Sequence, residues 1–239
     1  MGQIIKFFRS YLFCGIYLLF IYPKINKLIK NKEKYSFEYR YNYARKKINT
    51  LMSLLKVKIE VTGLENIHGE DKVLLVPNHN SYTDALILSL VVDKPIIFVA
   101  KQETAKQPFI GKLCKLIDAL FLDRDNLRQS FAVINTAKKL LDNNQCVAIF
   151  PEGTRNKSSS YNLLDFKAGT FKTAMDTNSA VAPIVIKGSK DILSSKLRKS
   201  YLVKIEVLKT IQPEEYQDAT SVELSQQVYH LMQNKINEI

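Results

Sequence analysis

The sequence predicts an α/β protein: a mixed sheet flanked by helices, preceded by two N-terminal helices. From residue 56 onward, short runs rich in β-branched residues alternate with longer stretches of helical periodicity, which is the pattern of layered α/β folds. The 239 residues are 46% hydrophobic, enough to bury one sizeable core. We therefore expect an N-terminal helical region over residues 1–55 and an α/β domain over residues 56–239.

The individual elements follow from local periodicity. The N-terminal helices are predicted at residues 4–30 and 35–55, although the alternating aromatic residues of segment 35–43 also allow a strand. Short apolar runs predict seven strands: 57–62, 73–77, 96–100, 120–122, 146–150, 181–186 and 202–207. Longer amphipathic stretches predict helices between and after them: 84–92, 106–117, 126–143, 168–178 and 221–237. No internal repeat or low-complexity linker interrupts this order.

The positive charge of the chain is concentrated at its N terminus. Of a formal net charge of +12, residues 1–60 contribute +10, with thirteen Lys or Arg against three acids. The uncharged run 10–23 lies within this basic segment, which favours an anionic membrane surface and excludes a nucleic-acid-binding arm. Fourteen residues are too few to span a bilayer, which takes roughly 20, so we expect the segment to lie in one leaflet. The alternative is an ordinary helical hairpin that covers the core.

The first 30 residues are expected to stay on the chain, without a lipid modification. Lys24, Lys27 and Lys30 follow the apolar run with no small-residue cleavage site, unlike a secretory signal. Lys6 stands where a myristoylation signal has Ser or Thr. The three cysteines are widely spaced in apolar surroundings, which argues against disulfides and zinc. The protein is therefore expected on the cytoplasmic face of a cell membrane.

His79 and Asp84 are the candidate catalytic pair, in a segment between a predicted strand and helix. On one continuous helix, side chains five residues apart would diverge by about 140°. His79 must therefore precede the helix, where Asp84 can accept its Nδ1 proton and leave Nε2 free as a general base. The alternative is a capping box from Ser81 to Asp84. Direct attack by an acceptor hydroxyl needs no covalent nucleophile, although the sequence leaves one open.

A second set of candidate residues follows the strand predicted at 146–150. Gly153 and Thr154 allow a tight turn with exposed amides, and Arg155 beside them adds a guanidinium that can grip a phosphate. Glu152 lies within reach of a polyol hydroxyl; the alternative for this segment is a surface turn. Two further cations, Lys101 and Arg124, stand at predicted strand ends. Together with Arg155 they predict a pocket that binds an anion.

These blocks, in their order, resemble the glycerolipid acyltransferase family, which includes the lysophosphatidic acid acyltransferases. The segment from His79 to Asp84 resembles the family's His-x-x-x-x-Asp block, and residues 121–124 resemble its Phe-x-x-Arg block, with Leu122 replacing the usual Ile. Residues 150–155 match its Phe-Pro-Glu-Gly-Thr-Arg block at every position, and Val181-Ala182-Pro183-Ile184 resembles the apolar block that completes the set. Lys167-Ala168-Gly169 is also similar to a family segment.

The resemblance implies an O-acyltransferase that moves a fatty acyl group from a thioester to 1-acyl-glycerol 3-phosphate, giving phosphatidic acid. By resemblance, His79 is the base and Asp84 orients it. Lys101, Arg124 and Arg155 bind the acceptor phosphate, and Glu152 and Gly153 position the glycerol. No cofactor is expected, since an acyl-coenzyme A or an acyl carrier protein thioester serves as co-substrate. The expected partners are an anionic membrane and a lysophospholipid, with no nucleic acid.

Other interpretations stay open at this point. The acceptor could be glycerol 3-phosphate or a lyso-ornithine lipid, because the blocks describe the chemistry better than the acceptor. A non-catalytic membrane-surface protein is a second alternative, against which the His79 and Asp84 pair argues. A metal hydrolase is a third, but the other two histidines, His68 and His230, lack ligand-like spacing. No metal site is therefore expected.

Overall fold

The structure is a computed structural model that describes residues 2–158, 160–192 and 200–239, with side chains from Leu12 onward. The described helices are α1 Gly2–Lys30, α2 Phe37–Leu54, α3 Thr83–Val91, α4 Ile110–Leu116, α5 Leu127–Asp142, α6 Ala168–Met175, α7 Pro213–Tyr216 and α8 Ser221–Glu238. The described strands are β1 Val57–Thr62, β2 Val73–Pro77, β3 Ile96–Lys101, β4 Leu120–Leu122, β5 Cys146–Ala148, β6 Ala180–Lys187 and β7 Tyr201–Val207. Short 3₁₀ segments connect some of them: Lys32–Lys34, Leu64–Ile67, Gln102–Lys106 and Ser189–Asp191.

All seven predicted strands are observed, and together they form one mixed sheet in the order β1-β7-β6-β2-β5-β3-β4. Every neighbouring pair is parallel except β6 and β7. The carboxyl ends of β2, β5, β3 and β4 therefore meet at one edge of the sheet. This arrangement confirms the predicted fold class and places the loops after these four strands beside one another.

The core has two layers, one on each face of the sheet. One apolar cluster lies between one face of the sheet and the helices α1, α2, α3 and α4. The other lies between the opposite face and the helices α5, α6 and α8. Consecutive residues of β2 belong to different clusters: Val73 and Leu75 to the first, Leu74 and Val76 to the second. All four are fully buried, as expected for the central strand of a sheet covered on both sides.

The structure differs from the prediction at three elements. The alternative of a strand at 35–43 is wrong, because Ser36 caps α2 by accepting a hydrogen bond from Tyr39 N at 3.2 Å. The helix predicted at 106–117 begins only at Ile110, since Pro108 restricts the residue before it and cannot donate a helical hydrogen bond. Helix α7 was not predicted; it begins with Pro213 after a capping box between Gln212 and Glu215.

The inner end of α1 is part of the protein core, whereas its outer part is exposed. Ile25 and Leu28 are fully buried. Further out, five large apolar side chains are exposed: Leu12, Phe13, Ile16, Leu19 and Phe20. The segment Leu12–Lys30 is long and apolar enough to cross a membrane by length and composition. Among the described side chains of α1, the exposed large apolar ones therefore lie in its outer half.

Candidate active site

The paired imidazole and carboxylate lie at the carboxyl end of β2, the central strand. His79 is in the loop after β2, Asp84 is in the first turn of α3, and His79 Nδ1 lies 2.9 Å from Asp84 Oδ2. Asp84 is fully buried, whereas the His79 side chain is 19% exposed. A carboxylate that accepts the Nδ1 proton leaves Nε2 free to take a proton. The predicted arrangement, with His79 ahead of the helix, is observed.

The same carboxylate oxygen also shapes the loop. Asp84 Oδ2 accepts hydrogen bonds from Asn80 N at 2.6 Å and from Ser81 N at 2.7 Å. The capping-box alternative is not observed: the N-cap of α3 is Tyr82, without a side-chain capping hydrogen bond, and the Ser81 hydroxyl accepts from Thr83 N at 3.3 Å and not from Asp84 N. Asp84 therefore both orders the loop backbone and orients the imidazole.

The backbone of His79 is held on both sides by the segment that follows β5. Its N–H donates to Glu152 Oε1 at 2.7 Å, and its carbonyl accepts from Asn156 N at 2.7 Å. The second oxygen of Glu152 accepts from Leu164 N at 3.0 Å. Burial raises the pKa of Glu152, against the backbone donors of His79 and Leu164, which lower it.

Glu152 departs from the expectation that it contacts the glycerol of a substrate. Its side chain is only 3% exposed and both of its oxygens are used by backbone amides. The turn at Gly153 departs as well, because the Gly153 N–H donates to Phe150 O at 3.0 Å and is not free to bind phosphate. Glu152 and Gly153 therefore stabilise the backbone of the site through hydrogen bonds within the protein.

Two buried asparagines fix the loop to the neighbouring strand β6, and the sequence interpretation gave neither of them a role. Asn78 Nδ2 donates to Ile186 O at 3.0 Å, and Asn78 Oδ1 accepts from Ile186 N at 2.7 Å. Asn80 Nδ2 donates to the same carbonyl at 2.9 Å. The signal for them was present: two amide side chains flank His79 directly after an apolar strand, where a buried polar group needs a partner.

A cavity of about 800 Å³ opens beside His79. His79, Lys101, Arg124, Thr154 and Arg155 all line it. Apolar side chains from β3, β4 and α4 form another part of its wall: Phe98, Leu122, Ile110, Leu113 and Ile117. With Gly153, six of the eight predicted site residues thus line one cavity that is polar at one end and apolar at the other.

The two arginines of this cavity are held in different ways. The Arg155 guanidinium stacks on the ring of Tyr82, with 3.7 Å between its Cζ and the ring centroid. Arg124 lies over Gly153, where a β-carbon would come within 3.3 Å of Arg124 Nη2. Gly153 has φ +69°, a conformation that glycine adopts without strain. The sequence interpretation missed Tyr82, and the only sequence signal for it was an aromatic residue between His79 and Asp84.

The remaining contacts at the polar end involve Lys101 and the imidazole ring itself. Lys101 Nζ pairs with Glu103 at 2.9 Å, and both side chains are about half exposed. This lysine therefore already has an anionic partner at the cavity wall. The His79 ring stacks on Phe150 with 4.2 Å between centroids. Phe150 and Asp84 thus contact the imidazole from two directions and fix its plane.

The thiols do not supply a nucleophile. Cys14, Cys114 and Cys146 are free. Burial raises the pKa of Cys114, which lines the cavity, to about 11, and that of Cys146 to about 12. Both thiols stay protonated at neutral pH and are weakly nucleophilic. Among the described residues, no group of three or more His, Cys, Asp or Glu side chains could hold a metal ion.

The fold and this site define an α/β enzyme with a His–Asp pair at the carboxyl edge of its sheet. Residues 58–187 match the family model described as Acyltransferase. The match covers more than half of the chain, so the chain belongs to the acyltransferase family and is an acyl-transferring enzyme. The family resemblance carried by its four sequence blocks is confirmed.

Individual relatives agree with this assignment. A Mycoplasma pneumoniae protein named "Probable 1-acyl-sn-glycerol-3-phosphate acyltransferase" is 32% identical over 75% of this chain and 70% of its own. A Mycoplasma genitalium protein of the same name is 32% identical over 83% and 80%. The crystal structure of the 1-acyl-sn-glycerophosphate (LPA) acyltransferase PlsC from Thermotoga maritima superposes with a TM-score of 0.76, at 22% identity, over 99% of this chain and 95% of that one.

Proposed function

We propose that this enzyme transfers a fatty acyl group from an acyl thioester to the free hydroxyl of 1-acyl-glycerol 3-phosphate, giving phosphatidic acid. The relatives named above carry this activity in their names. The observation that carries the proposal is the 2.9 Å contact between His79 Nδ1 and Asp84 Oδ2 at the wall of a cavity that also holds Arg124 and Arg155.

In the proposed reaction, His79 Nε2 takes the proton of the acceptor hydroxyl as the oxygen attacks the thioester carbonyl. Asp84 keeps the proton on Nδ1 and stabilises the imidazolium that forms. Collapse of the tetrahedral intermediate breaks the carbon–sulfur bond, and the imidazolium returns its proton to the departing thiolate. Atoms and charges balance, and no covalent enzyme intermediate is required.

The two ends of the cavity suit the two ends of such substrates. A phosphate monoester carries about −1.5 to −2 charges, and guanidinium groups bind it through paired hydrogen bonds. Arg155, held flat against Tyr82, and Arg124 are the proposed ligands, together with Lys101, which lines the same cavity. The apolar wall from β3, β4 and α4 is the proposed site for acyl chains.

The test is an acyl-transfer assay with purified protein. Labelled acyl-coenzyme A and labelled acyl carrier protein are offered with 1-acyl-glycerol 3-phosphate, glycerol 3-phosphate or a lyso-ornithine lipid, and products are resolved by mass spectrometry. His79→Ala should lower turnover about 10²- to 10⁴-fold. His68→Ala is the matched control, since the His68 side chain is 69% exposed and lies in another part of the fold. An unaffected His79→Ala enzyme rejects the general-base role, and acylation of another acceptor reassigns the substrate.

We also propose that the outer half of α1 lies in one leaflet of an anionic membrane, with the active site on the cytoplasmic side. The exposed apolar side chains from Leu12 to Phe20 and the basic N-terminal segment support this. Deletion of the whole helix is a poor test, because Ile25 and Leu28 are core residues. Leu19→Ser with Phe20→Ser changes only exposed positions and should release the protein from anionic vesicles in flotation. Unchanged flotation would contradict this location.

A further inference from the structure

Helix α5 carries two large apolar side chains that face solvent. Leu127 is 84% exposed and Phe131 is 67% exposed. They are four residues apart, so they lie next to each other on one side of the helix. Both line the rim of the active-site cavity, and Ile134, one turn further along, lines it too. An apolar stripe thus runs from solvent along α5 into the cavity.

Four exposed cations are close to this stripe in sequence or line the same cavity: Arg124, Arg128, Lys157 and Lys167. Arg124, Lys157 and Lys167 line the same cavity. In the described part of the chain, none of the four forms an ion pair with another residue. Two exposed acids, Asp125 and Asp165, are close to these cations in sequence. Four cations against two acids give this set of side chains a net positive charge. Apolar tips among unpaired cations match the surface of an anionic bilayer.

We propose that Leu127 and Phe131 insert into an anionic bilayer, so that the cavity mouth lies against the membrane and the lysolipid acceptor enters along α5. The proposal rests on the proposed function for the identity of that acceptor. An acidic carrier protein would also suit the cations. The bilayer is favoured because the apolar stripe continues into the cavity, which a lipid tail requires and a docked protein does not.

This contact is separate from the one proposed for α1. Helix α1 packs on α2 and α4, on one side of the sheet, through Ile21, Ile25 and Leu28. Helix α5 packs on the other face of the sheet, through Ala137 and Leu141. Two membrane contacts, one on each side of the sheet, would fix the angle between the carboxyl edge of the sheet and the membrane surface. That edge carries His79, so α5 sets how the active site meets the lipid surface.

The chain contains no Trp, so one introduced Trp reports on a single position. Phe131→Trp is the probe, Leu19→Trp on α1 the positive control, and Leu231→Trp the matched control on an exposed position of α8. Vesicles contain phosphatidylglycerol and phosphatidylcholine, with or without brominated acyl chains. The expected result is a blue shift of the Phe131→Trp emission and its quenching by brominated vesicles, with no change for Leu231→Trp.

Three outcomes would overturn the proposal. In the first, Leu19→Trp is quenched and Phe131→Trp is not. In the second, Phe131→Trp responds to brominated lysolipid monomers but not to brominated vesicles, which limits the contact to substrate. In the third, it responds to acyl carrier protein alone. Quenching needs no turnover, so Phe131→Trp should be quenched equally in a chain that also carries His79→Ala. If the Phe131→Trp protein is quenched but shows no acyl transfer, that result counts only against the proposed function.

A second measurement uses Leu127→Ser and Phe131→Ser, which alter exposed positions and spare the core. Each should raise the apparent dissociation constant for anionic vesicles about tenfold, as expected when one large apolar side chain is no longer buried. Leu231→Ser is the matched control. Equal vesicle affinity for all three variants and the native chain would refute insertion of α5.

Discussion

The carboxylate of Glu152 accepts a 2.7 Å hydrogen bond from the backbone N–H of His79, 73 residues earlier in the chain. The turn after β5 and the loop after β2 are therefore one unit, although they are far apart in sequence. His79 is held through its backbone by this turn and through its ring by Asp84 and Phe150.

Replacing Glu152 tests whether it positions His79 or binds substrate. Glu152→Leu leaves two buried amides without an acceptor and should lower kcat about 10²-fold through misplacement of His79, with little change in the acceptor KM. Glu152→Gln keeps one acceptor oxygen for the His79 N–H but leaves the Leu164 N–H without one, so it should recover part of kcat. Steady-state kinetics separates the two roles, since a rise in acceptor KM alone would identify Glu152 as a substrate ligand. Glu103→Gln, at a half-exposed position, is the control.

Asp84→Asn tests the orientation of the imidazole. Asp84 Oδ2 accepts three hydrogen bonds, from His79 Nδ1, Asn80 N and Ser81 N. An amide in its place cannot stabilise an imidazolium, so kcat should fall about 10²- to 10⁴-fold. Asp93→Asn is the matched control, because the Asp93 side chain is 76% exposed. Full activity of Asp84→Asn would show that catalysis does not depend on the His79–Asp84 pair.

Tyr82 should act through its ring. Tyr82→Leu removes the surface on which Arg155 stacks and should raise the acceptor KM about three- to tenfold, with a smaller effect on kcat. Tyr82→Phe keeps the ring and should behave like the native enzyme. If Tyr82→Phe is as defective as Tyr82→Leu, the hydroxyl rather than the stacking is required.

Gly153→Ala should affect both stability and acceptor binding. The left-handed conformation, φ +69°, costs about 1 kcal/mol for a residue with a β-carbon, and the new methyl group would also press on Arg124. Gly69→Ala is the matched control, since φ is +80° and nothing lies within 4 Å of its added carbon. Both variants should lower the Tm, and only Gly153→Ala should raise the acceptor KM. Equal KM values would show that Arg124 does not contact the acceptor.

A pH-dependent loss of stability is expected from Asp118, which joins the N-terminal helices to the domain. Asp118 accepts hydrogen bonds from Arg40, a buried side chain, and from Lys32. Burial raises the pKa of Asp118, but these two cations outweigh it and hold the pKa below the ordinary value of 3.8. A lowered pKa means that the ion pairs stabilise the fold above about pH 4 and lose this effect as pH falls further.

Asp118→Asn is a clean substitution, because asparagine tolerates the positive φ of 54° at this position. At pH 7 the variant should lose about 1–3 kcal/mol of unfolding free energy, since the neutral amide keeps an acceptor oxygen but removes the negative charge that pairs with Arg40 and Lys32. The difference from the native chain should shrink as pH falls below 4. Urea unfolding at several pH values measures it, and a difference that grows toward low pH would contradict the assigned ion pairs.

The sequence by itself determined the order of the seven strands, the fold class and the His–Asp pair. Each of these depends on residues close together in the chain: apolar periodicity sets the strands, and five-residue spacing from His79 to Asp84 places an imidazole ahead of a helix and a carboxylate within it. Arg124 and Arg155 were also located from the sequence, because both belong to family blocks and both come after predicted strands.

Only the tertiary structure decided what supports the pair. Glu152 was expected to contact substrate and instead bonds His79 and Leu164, because the parallel neighbours β2 and β5 bring their following loops together. The contacts of Asn78 with Ile186 and of Arg155 with Tyr82 likewise join residues far apart in the sequence. Periodicity describes which face of its own element a side chain occupies, but a hydrogen-bond partner across the sheet depends on strand order and register, which only packing of the whole chain sets.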